Sequence, residues 1–575
     1  MKIRFLRSDS KKPEWIDYAL FTVLFAVISV FHEPWFDEAE AWQIAKCASL
    51  RDILLKIPHY EGHPPLWHLL LMLPAKLGVP FEVGVKTVAA IPTLLSVWLL
   101  LFRSPFPRPV RLILPYHYFV FYQYGVVSRP YGLMLLAFLL AAVCFAQKDT
   151  RPWRFMLCLL LLCLTSAYGI VLAGGICICW VLDILREYHW RFSGSLWKDR
   201  RIAPLAVLFA AACVLILEIL PGTNTLGITY DVTTSLPLRL LYTLLIMLPD
   251  SLFLYVMKAG ANILTTTFFT YDLIFASFFG VILYAVLFLL SAPRKRIYFA
   301  VPMFLFGIFS ALVYLFAHHT GIPAILLLFW LWINQQDETR GQLFDSLWTR
   351  ISFSEKDRKL LRRIWICVLA AVLLVPTIWT VTASVNDILH PYFFGRDTAK
   401  FLKESGLSEA LILTEWDSPV LSVSEEETED EEGPDILELI DTNHLMSATT
   451  LDAYFDRNII SNLNFGLDEY AYNRHNKPTR EENIQNLVHC RKNGHPDVLL
   501  GNVHLGSIFN QNEISLADYA PVYKMTSCGF SIWKNSYFSA YNYDYIYLRR
   551  DLLEQYGLEE IEADPFLYPY ASLSR

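Results

Sequence analysis

The chain alternates between charge-free apolar blocks and short charged connections. The first block, Ile16–Phe31, follows a basic start, MKIRFLRSDSKK, with no small-residue cleavage site after it. That pattern predicts an uncleaved signal anchor with the N-terminus in the cytoplasm. Further blocks lie near 83–102, 112–127, 129–146, 155–167, 168–185, 202–220, 272–291, 297–316, 320–333 and 364–384. Blocks of about 15–20 apolar residues can cross a bilayer core of about 30 Å. Threading them in order gives eleven spans, and residues 236–270, where Leu238–Met257 carries Arg239 and Asp250, allow a further pair. The expected fold is therefore a polytopic α-helical membrane protein of about 11–13 transmembrane helices over residues 1–384. His63-Pro64-Pro65 opens one more apolar helix, ending at Gly78. Proline suits a helix's first turn, whose N–H has no partner in any case. This helix is short for a span and reads as interfacial or re-entrant.

Beyond residue 384 the pattern changes. Residues 385–575 suffice for one domain. Ala410–Trp416 and Val498–Val503 read as buried strands, Asp397–Ser405 and Glu481–Lys492 as helices, so a small α/β domain is expected. Glu425–Glu432, EEETEDEE, reads as a solvated acidic loop. The Tyr-rich end, Tyr537–Tyr570, reads as surface packing.

Charge adds an orientation. Residues 385–575 hold 14 Lys and Arg against 32 Asp and Glu, leaving 34 against 23 for residues 1–384. The basic clusters Arg103/Arg108/Arg111, Lys148/Arg151/Arg154, Arg186–Arg201, Arg294-Lys295-Arg296 and residues 334–363 all fall on one side when the blocks are threaded in order. The positive-inside rule makes that side cytoplasmic and the acidic C-terminal domain extracytoplasmic. No Lys/Arg stripe suggests a nucleic-acid partner. Seven of the ten cysteines lie inside apolar blocks and read as small core residues. Cys490 and Cys528 lie in the tail, and sequence leaves their pairing open.

The chemistry concentrates between Glu33 and Trp67, EPWFDEAEAWQIAKCASLRDILLKIPHYEGHPPLW. Asp37 and Glu38 open a helix through Ala48. Acids in a first turn meet the helix dipole favourably; beside Trp35, Phe36 and Trp42 they also suit a general base, since desolvation raises a carboxylate pKa. His59, Glu61 and His63 alternate, and an extended segment would put all three on one side, either to seat an optional divalent cation or to hydrogen-bond within the loop. Arg129, in SRPYG at an outer turn, is either a snorkelling interface arginine or a cation that clamps a phosphate. His318 and His319, at another outer turn, suit metal, phosphate or helix capping.

Asp37-Glu38-Ala39 with Trp42, Gly62-His63-Pro64-Pro65-Leu66, Arg129-Pro130-Tyr131 and the late His318-His319 turn together resemble the GT-C superfamily of integral-membrane glycosyltransferases. The nearest branch is similar to family 39 and its bacterial relatives, including protein O-mannosyltransferases, the lipid A aminoarabinose transferase and the Rgt-type transferases. The resemblance covers the layout of residues 15–384. It implies a polyprenyl-phosphate-sugar donor and inverting transfer, outside the cytoplasm, to a glycan, lipid or protein acceptor. Asp37 would be the acceptor's base, with Glu38 beside it. Arg129, His318 and His319 would hold the donor phosphate, and His59, Glu61, His63 and Tyr131 would line the substrate site or hold an optional metal. A transporter or flippase of lipid-linked intermediates is the competing expectation, favoured by charges at mid-span depth; here the ionisable groups gather at one face.

Overall fold

The computed structural model describes residues 11–192, 194–221, 232–253, 256, 262–266, 268–289, 291–336, 354–414, 450–460, 496–501, 518–527 and 542–562. Helices dominate. Eight are long and apolar enough to cross a membrane: Lys12–Phe31, Phe81–Phe102, Ala167–Glu187, Ile202–Ile219, Leu236–Phe253, Thr270–Leu289, Pro293–Leu312 and Ile366–Leu389. Tyr131–Phe145 and Pro152–Cys163 are shorter apolar helices. The architecture is consistent with a polytopic helical membrane protein.

The first span, α1 (Lys12–Phe31), shows why. Phe21, Phe25 and Ile28 are buried, while Ile16, Leu20, Val23, Val27 and Val30 are exposed. A helix apolar all round with only one face packed fits lipid on the other. Four further helices follow: α2 (Phe36–Cys47), α3 (Leu50–Leu55), α4 (Ile57–Glu61) and α5 (Leu66–Lys76). With only 11 residues, α5 is not one of the spanning helices. It packs on α2 through Trp42, Ala45, Trp67 and Leu71, and α6 (Phe81–Phe102) closes this cluster with Val85 and Ala89. Gly84 makes the approach feasible, because a Cβ there would collide with the Trp42 ring.

The span expected over 112–127 is not one helix. It breaks into Arg108–Ile113, a 3-10 turn at Leu114–Tyr116, a short helix at Tyr118–Phe121 and a π-helical turn at Tyr122–Val126. Pro115 lacks the N–H that a continuous helix would need, and Tyr116 leads into an extended His117. Residues 236–253 form one run of spanning length, and residues 254, 255, 257–261 and 267 of the possible pair lie outside the described residues. The eleven-to-thirteen expectation thus becomes eight spanning-length helices plus shorter apolar ones among the described residues.

The two ends of the bundle differ in charge. Glu14 and His32, 18 residues apart along α1, are separated by about 27 Å at the helical rise. At the Glu14 end lie Arg108 and Arg111, 3.4 and 3.0 Å from that carboxylate. By helix direction the Lys148–Asp149 pair and the Arg201 cluster with Asp149, Glu187 and Asp199 share this end. The His32 end carries the first loop.

Residues beyond the last span form a four-stranded sheet in the order β1 (Ile412–Thr414), β2 (Val498–Gly501), β4 (Asn542–Arg549), β3 (Tyr519–Ser527). The β1–β2 pair is parallel and the others antiparallel, with a bulge at Pro521/Tyr523. Leu402 on the helix Gly395–Glu404 joins Ile412, Val498, Leu500, Ile546 and Leu548 in one core. The Tyr-rich end is corrected here. Its segment Asn542–Arg549 is an inner strand whose Ile546 and Leu548 face the core and whose Tyr545 and Tyr547 are buried on the opposite face. Glu425–Glu432, Glu481–Lys492, Cys490 and Cys528 lie outside the described residues.

Candidate functional site

Helix α2 begins with Trp35 as its N-cap, and the Trp35 N–H donates to Glu38 Oε2 at 3.1 Å. The other oxygen, Oε1, accepts from the Ser128 N–H at 2.7 Å. Glu38 is fully buried and fastens the first loop to the Ser128-Arg129-Pro130 turn. The next turn residue then meets Asp37. Arg129 Nη2 lies 3.1 Å from Asp37 Oδ2, and Arg129 Nη1 donates to the Asp37 carbonyl at 3.0 Å. Both side chains keep some exposure, 11% for Asp37 and 15% for Arg129, so the pair sits at a mouth rather than in a sealed core. The π-helical turn Tyr122–Val126 delivers the chain to this point; such turns recur at functional sites.

The late histidine turn packs against the same place. Gly321 lets it close, since a Cβ there would collide with the Phe119 ring. His318 stands 6.2 Å from Tyr131 and 6.5 Å from Trp35, ring centre to ring centre. Burial, with Arg129 adding to it and Asp37 opposing it, lowers His318 to about 4, so its imidazole is neutral. His319 is differently placed. Its Nδ1 accepts from the Phe316 N–H at 3.0 Å, so Nε2 carries the proton and donates to Tyr131 Oη at 2.6 Å. Tyr168 Oη approaches the same Nδ1 at 3.3 Å. Both nitrogens of His319 are thus engaged in holding the turn, and burial holds its pKa well below the ordinary value.

The alternating histidines behave otherwise than an extended segment requires. Pro58 initiates α4, so His59 and Glu61 lie on a helical turn, where residues two apart do not share a face. Gly62 then reverses the chain at φ 62°. His59 Nδ1 contacts the Leu220 carbonyl at 2.7 Å, whereas His63 follows the Gly62 reversal. Among the described residues no group of three His, Cys, Asp or Glu is arranged to hold a metal ion.

Three features escaped sequence reasoning. The first is a buried relay behind Glu38. His32 Nε2 lies 3.5 Å from Glu38, and His32 Nδ1 lies 2.8 Å from Asp387 on the last span. Asp387 also accepts from Tyr122 Oη at 2.9 and 2.8 Å. Burial alone would lower His32, but Asp387 and then Glu38 outweigh it and raise it to about 9. His32 is therefore a buried imidazolium between two carboxylates.

The second is a latch from the C-terminal domain. Arg396 Nε donates to Glu82 Oε1 at 2.7 Å, its backbone N–H donates to Glu33, and its Nη2 reaches the Val30 and His32 carbonyls at 3.2 Å. Tyr454 Oη donates to the same Glu82 oxygen at 3.0 Å, and Lys46 on α2 pairs with Asp456 at 3.0 Å. Burial, against the Arg396 N–H, pushes the Glu33 carboxyl up to about 8. The domain and the first loop therefore occupy the same end of the bundle.

The third is His68, in the first turn of α5, only 3% exposed. Comparisons with protein-family models, with curated proteins and with solved structures found no match.

Proposed function

We propose that this chain is an inverting GT-C-like glycosyltransferase that moves a sugar from a polyprenyl-phosphate donor to an extracytoplasmic glycan, lipid or protein acceptor. The observation that carries the reading is the Asp37–Arg129 pair, a candidate base and a candidate phosphate clamp meeting at one mouth of an apolar bundle. Lipid-exposed helices such as Thr270–Leu289, with Ile274, Phe275 and Phe278 outward, offer a path for a polyprenyl tail. The basic clusters at the opposite end support an extracytoplasmic site.

In this mechanism the donor phosphate takes one side of the Arg129 guanidinium, whose planar fork suits two phosphate oxygens. Asp37 removes the proton of the acceptor hydroxyl or amine. The acceptor's heteroatom attacks the anomeric carbon opposite the phosphate, a C–O or C–N bond forms, and the bond to the phosphate oxygen breaks. Negative charge grows on that phosphate, so a fixed cation stabilises the transition state more than the ground state. Glu38, held by Trp35, Ser128 and His32, keeps the loop in register and is a positioning residue. Trp35, Tyr131 and neutral His318 line the mouth with rings and a proton-accepting nitrogen suited to a sugar.

The test is transfer from synthetic polyprenyl-phosphate monosaccharides by the purified chain in lipid nanodiscs, read by mass spectrometry of the acceptor. A protein that binds no polyprenyl phosphate and transfers no sugar across a panel of donors would overturn the reading.

A further inference from the structure

The last span, Ile366–Leu389, contains a single charged residue, Asp387. It is 3% exposed and lies near the end of the bundle that bears the first loop. An ionisable residue buried in an apolar span is expensive and marks a task. Asp387 has two partners. Its Oδ2 lies 2.8 Å from His32 Nδ1, and its two oxygens accept from Tyr122 Oη at 2.9 and 2.8 Å.

Both partners lead to the same turn. His32 Nε2 faces Glu38 at 3.5 Å, an ion-pair distance, and Glu38 accepts from the Ser128 N–H at 2.7 Å. Tyr122 opens the π-helical turn Tyr122–Val126. The Val127 N–H returns to the Tyr122 carbonyl at 3.0 Å, and Ser128 follows. The contacts therefore close a ring from Asp387 through Tyr122, the π-turn, Ser128, Glu38 and His32 back to Asp387. All four of its side chains are buried. The imidazolium between Glu38 and Asp387 offsets the repulsion of two buried carboxylates.

The ring acts where the backbone has no scaffold of its own. Residues 108–126 are broken into four short pieces, so no continuous helix leads into the Ser128-Arg129 turn. Glu38 holds Ser128 while its neighbour Asp37 meets the next residue, Arg129. The Glu38–Ser128 bond thus helps to set where the guanidinium stands relative to the Asp37 carboxylate.

We propose that Asp387, Tyr122 and His32 are positioning residues that, with Glu38, fix the Ser128-Arg129 turn so that Arg129 holds the donor phosphate within reach of Asp37. None of the three touches the reacting atoms. The reaction at Arg129 rests on the function proposed above; the ring rests on its own distances.

The experiment uses the full chain in nanodiscs and two measurements. One is backbone deuterium exchange over residues 127–131, read by mass spectrometry; the other is steady-state transfer from the panel of donors. Tyr122→Phe, His32→Asn and Asp387→Asn open the ring at three different points. Each should speed exchange of the Ser128 amide about 10-fold or more, the scale of losing a hydrogen bond to a charged group. Each should lower kcat about 10- to 100-fold and move the donor KM only a few-fold, since a displacement of about 1 Å costs far more in reaction than in binding. Unchanged exchange in all three variants would overturn the ring. Faster exchange with an unchanged kcat would overturn the positioning role. A wild type that is protected at Ser128 and transfers no sugar would overturn the transferase reading and leave the ring standing. Should the two variants that remove a charge fold poorly, Tyr122→Phe decides by the same measurements, because it deletes one hydroxyl and leaves the Asp387–His32 pair intact.

Discussion

Asp37 and Arg129 hold each other at two points, through the carboxylate at 3.1 Å and through the Asp37 carbonyl at 3.0 Å. A phosphate arriving at Arg129 must therefore compete with Asp37, and its arrival frees the carboxylate. Under the proposed reaction, donor binding and release of the base would be one event.

Asp37→Asn should separate the two roles. The amide keeps the shape but cannot accept a proton at neutral pH, so transfer should fall about 10²- to 10⁴-fold. It also competes less well for Arg129, so sugar-free polyprenyl phosphate should bind as tightly as in wild type or tighter. Wild-type turnover in Asp37→Asn would remove Asp37 from the chemistry.

Arg129→Lys keeps the charge but loses the planar fork that spans two oxygens. It should bind the phosphate probe more weakly and transfer more slowly, with Asp37 still paired. Equal binding and equal turnover would reduce Arg129 to an interface anchor.

His32 makes stability depend on pH. Its folded-state pKa, about 9, lies above the ordinary 6.5. Its contribution is fully present below about 6.5 and is lost as the pH rises through about 9. Glu33, raised from 4.5 to about 8, erodes stability between those values, so its effect is largely complete by pH 8 and the comparison with a His32 variant is made above it. The thermal midpoint of the wild type should fall more steeply from pH 8 to 10 than that of His32→Asn. Parallel curves would mean that the imidazole is not charged between Glu38 and Asp387.

Much of the loop was legible because its signals are local. Proline at 64 and 65 precedes α5, acids open α2, and a lone arginine between two apolar blocks marks a turn. What was not legible depends on distant partners. His32 meets Asp387 across 355 residues, and Arg396 meets Glu82 across 314, so neither residue stands out in its own neighbourhood. His68 is flanked by Trp67 and Leu69 and reads as part of an apolar helix; only its missing partners single it out. The strand β4 was misread because its alternation uses tyrosines, whose rings bury well but count as polar in pattern. His59 and Glu61 were misread because Pro58 starts a helical turn where alternation suggested an extended segment.

Arg396 should hold the C-terminal domain to the loop. Arg396→Ala removes donors from Glu82 and the Val30 and His32 carbonyls, while Lys86 still serves Glu82 and the His32 carbonyl and Tyr454 still serves Glu82. The expected cost is about 1–3 kcal/mol, with some screening because the arginine is partly exposed. Cleavage near residue 390 by a soluble protease should accelerate. Unchanged cleavage and an unchanged thermal midpoint would show that Tyr454 and Lys46–Asp456 suffice.

Orientation is the last test, and it decides whether the site faces the right compartment. The Glu14 end of the bundle gathers Arg108, Arg111, Lys148, Arg186 and Arg201, while the opposite end gathers Glu33, Asp37, Glu38 and Glu82 with Arg129 and Arg396. Lysine and arginine near span ends favour the cytoplasm, and acidic residues contribute little to that choice. A reporter fused after Arg296 should therefore be cytoplasmic and one fused after Leu389 extracytoplasmic. Because Arg396 touches Glu33 and Glu82 directly, the second fusion also reports the side of the first loop. If the fusion after Leu389 is cytoplasmic, the Asp37 mouth opens to the cytoplasm. A polyprenyl-phosphate sugar presented at the outer leaflet then has no route to Arg129, and the proposed reaction fails with it.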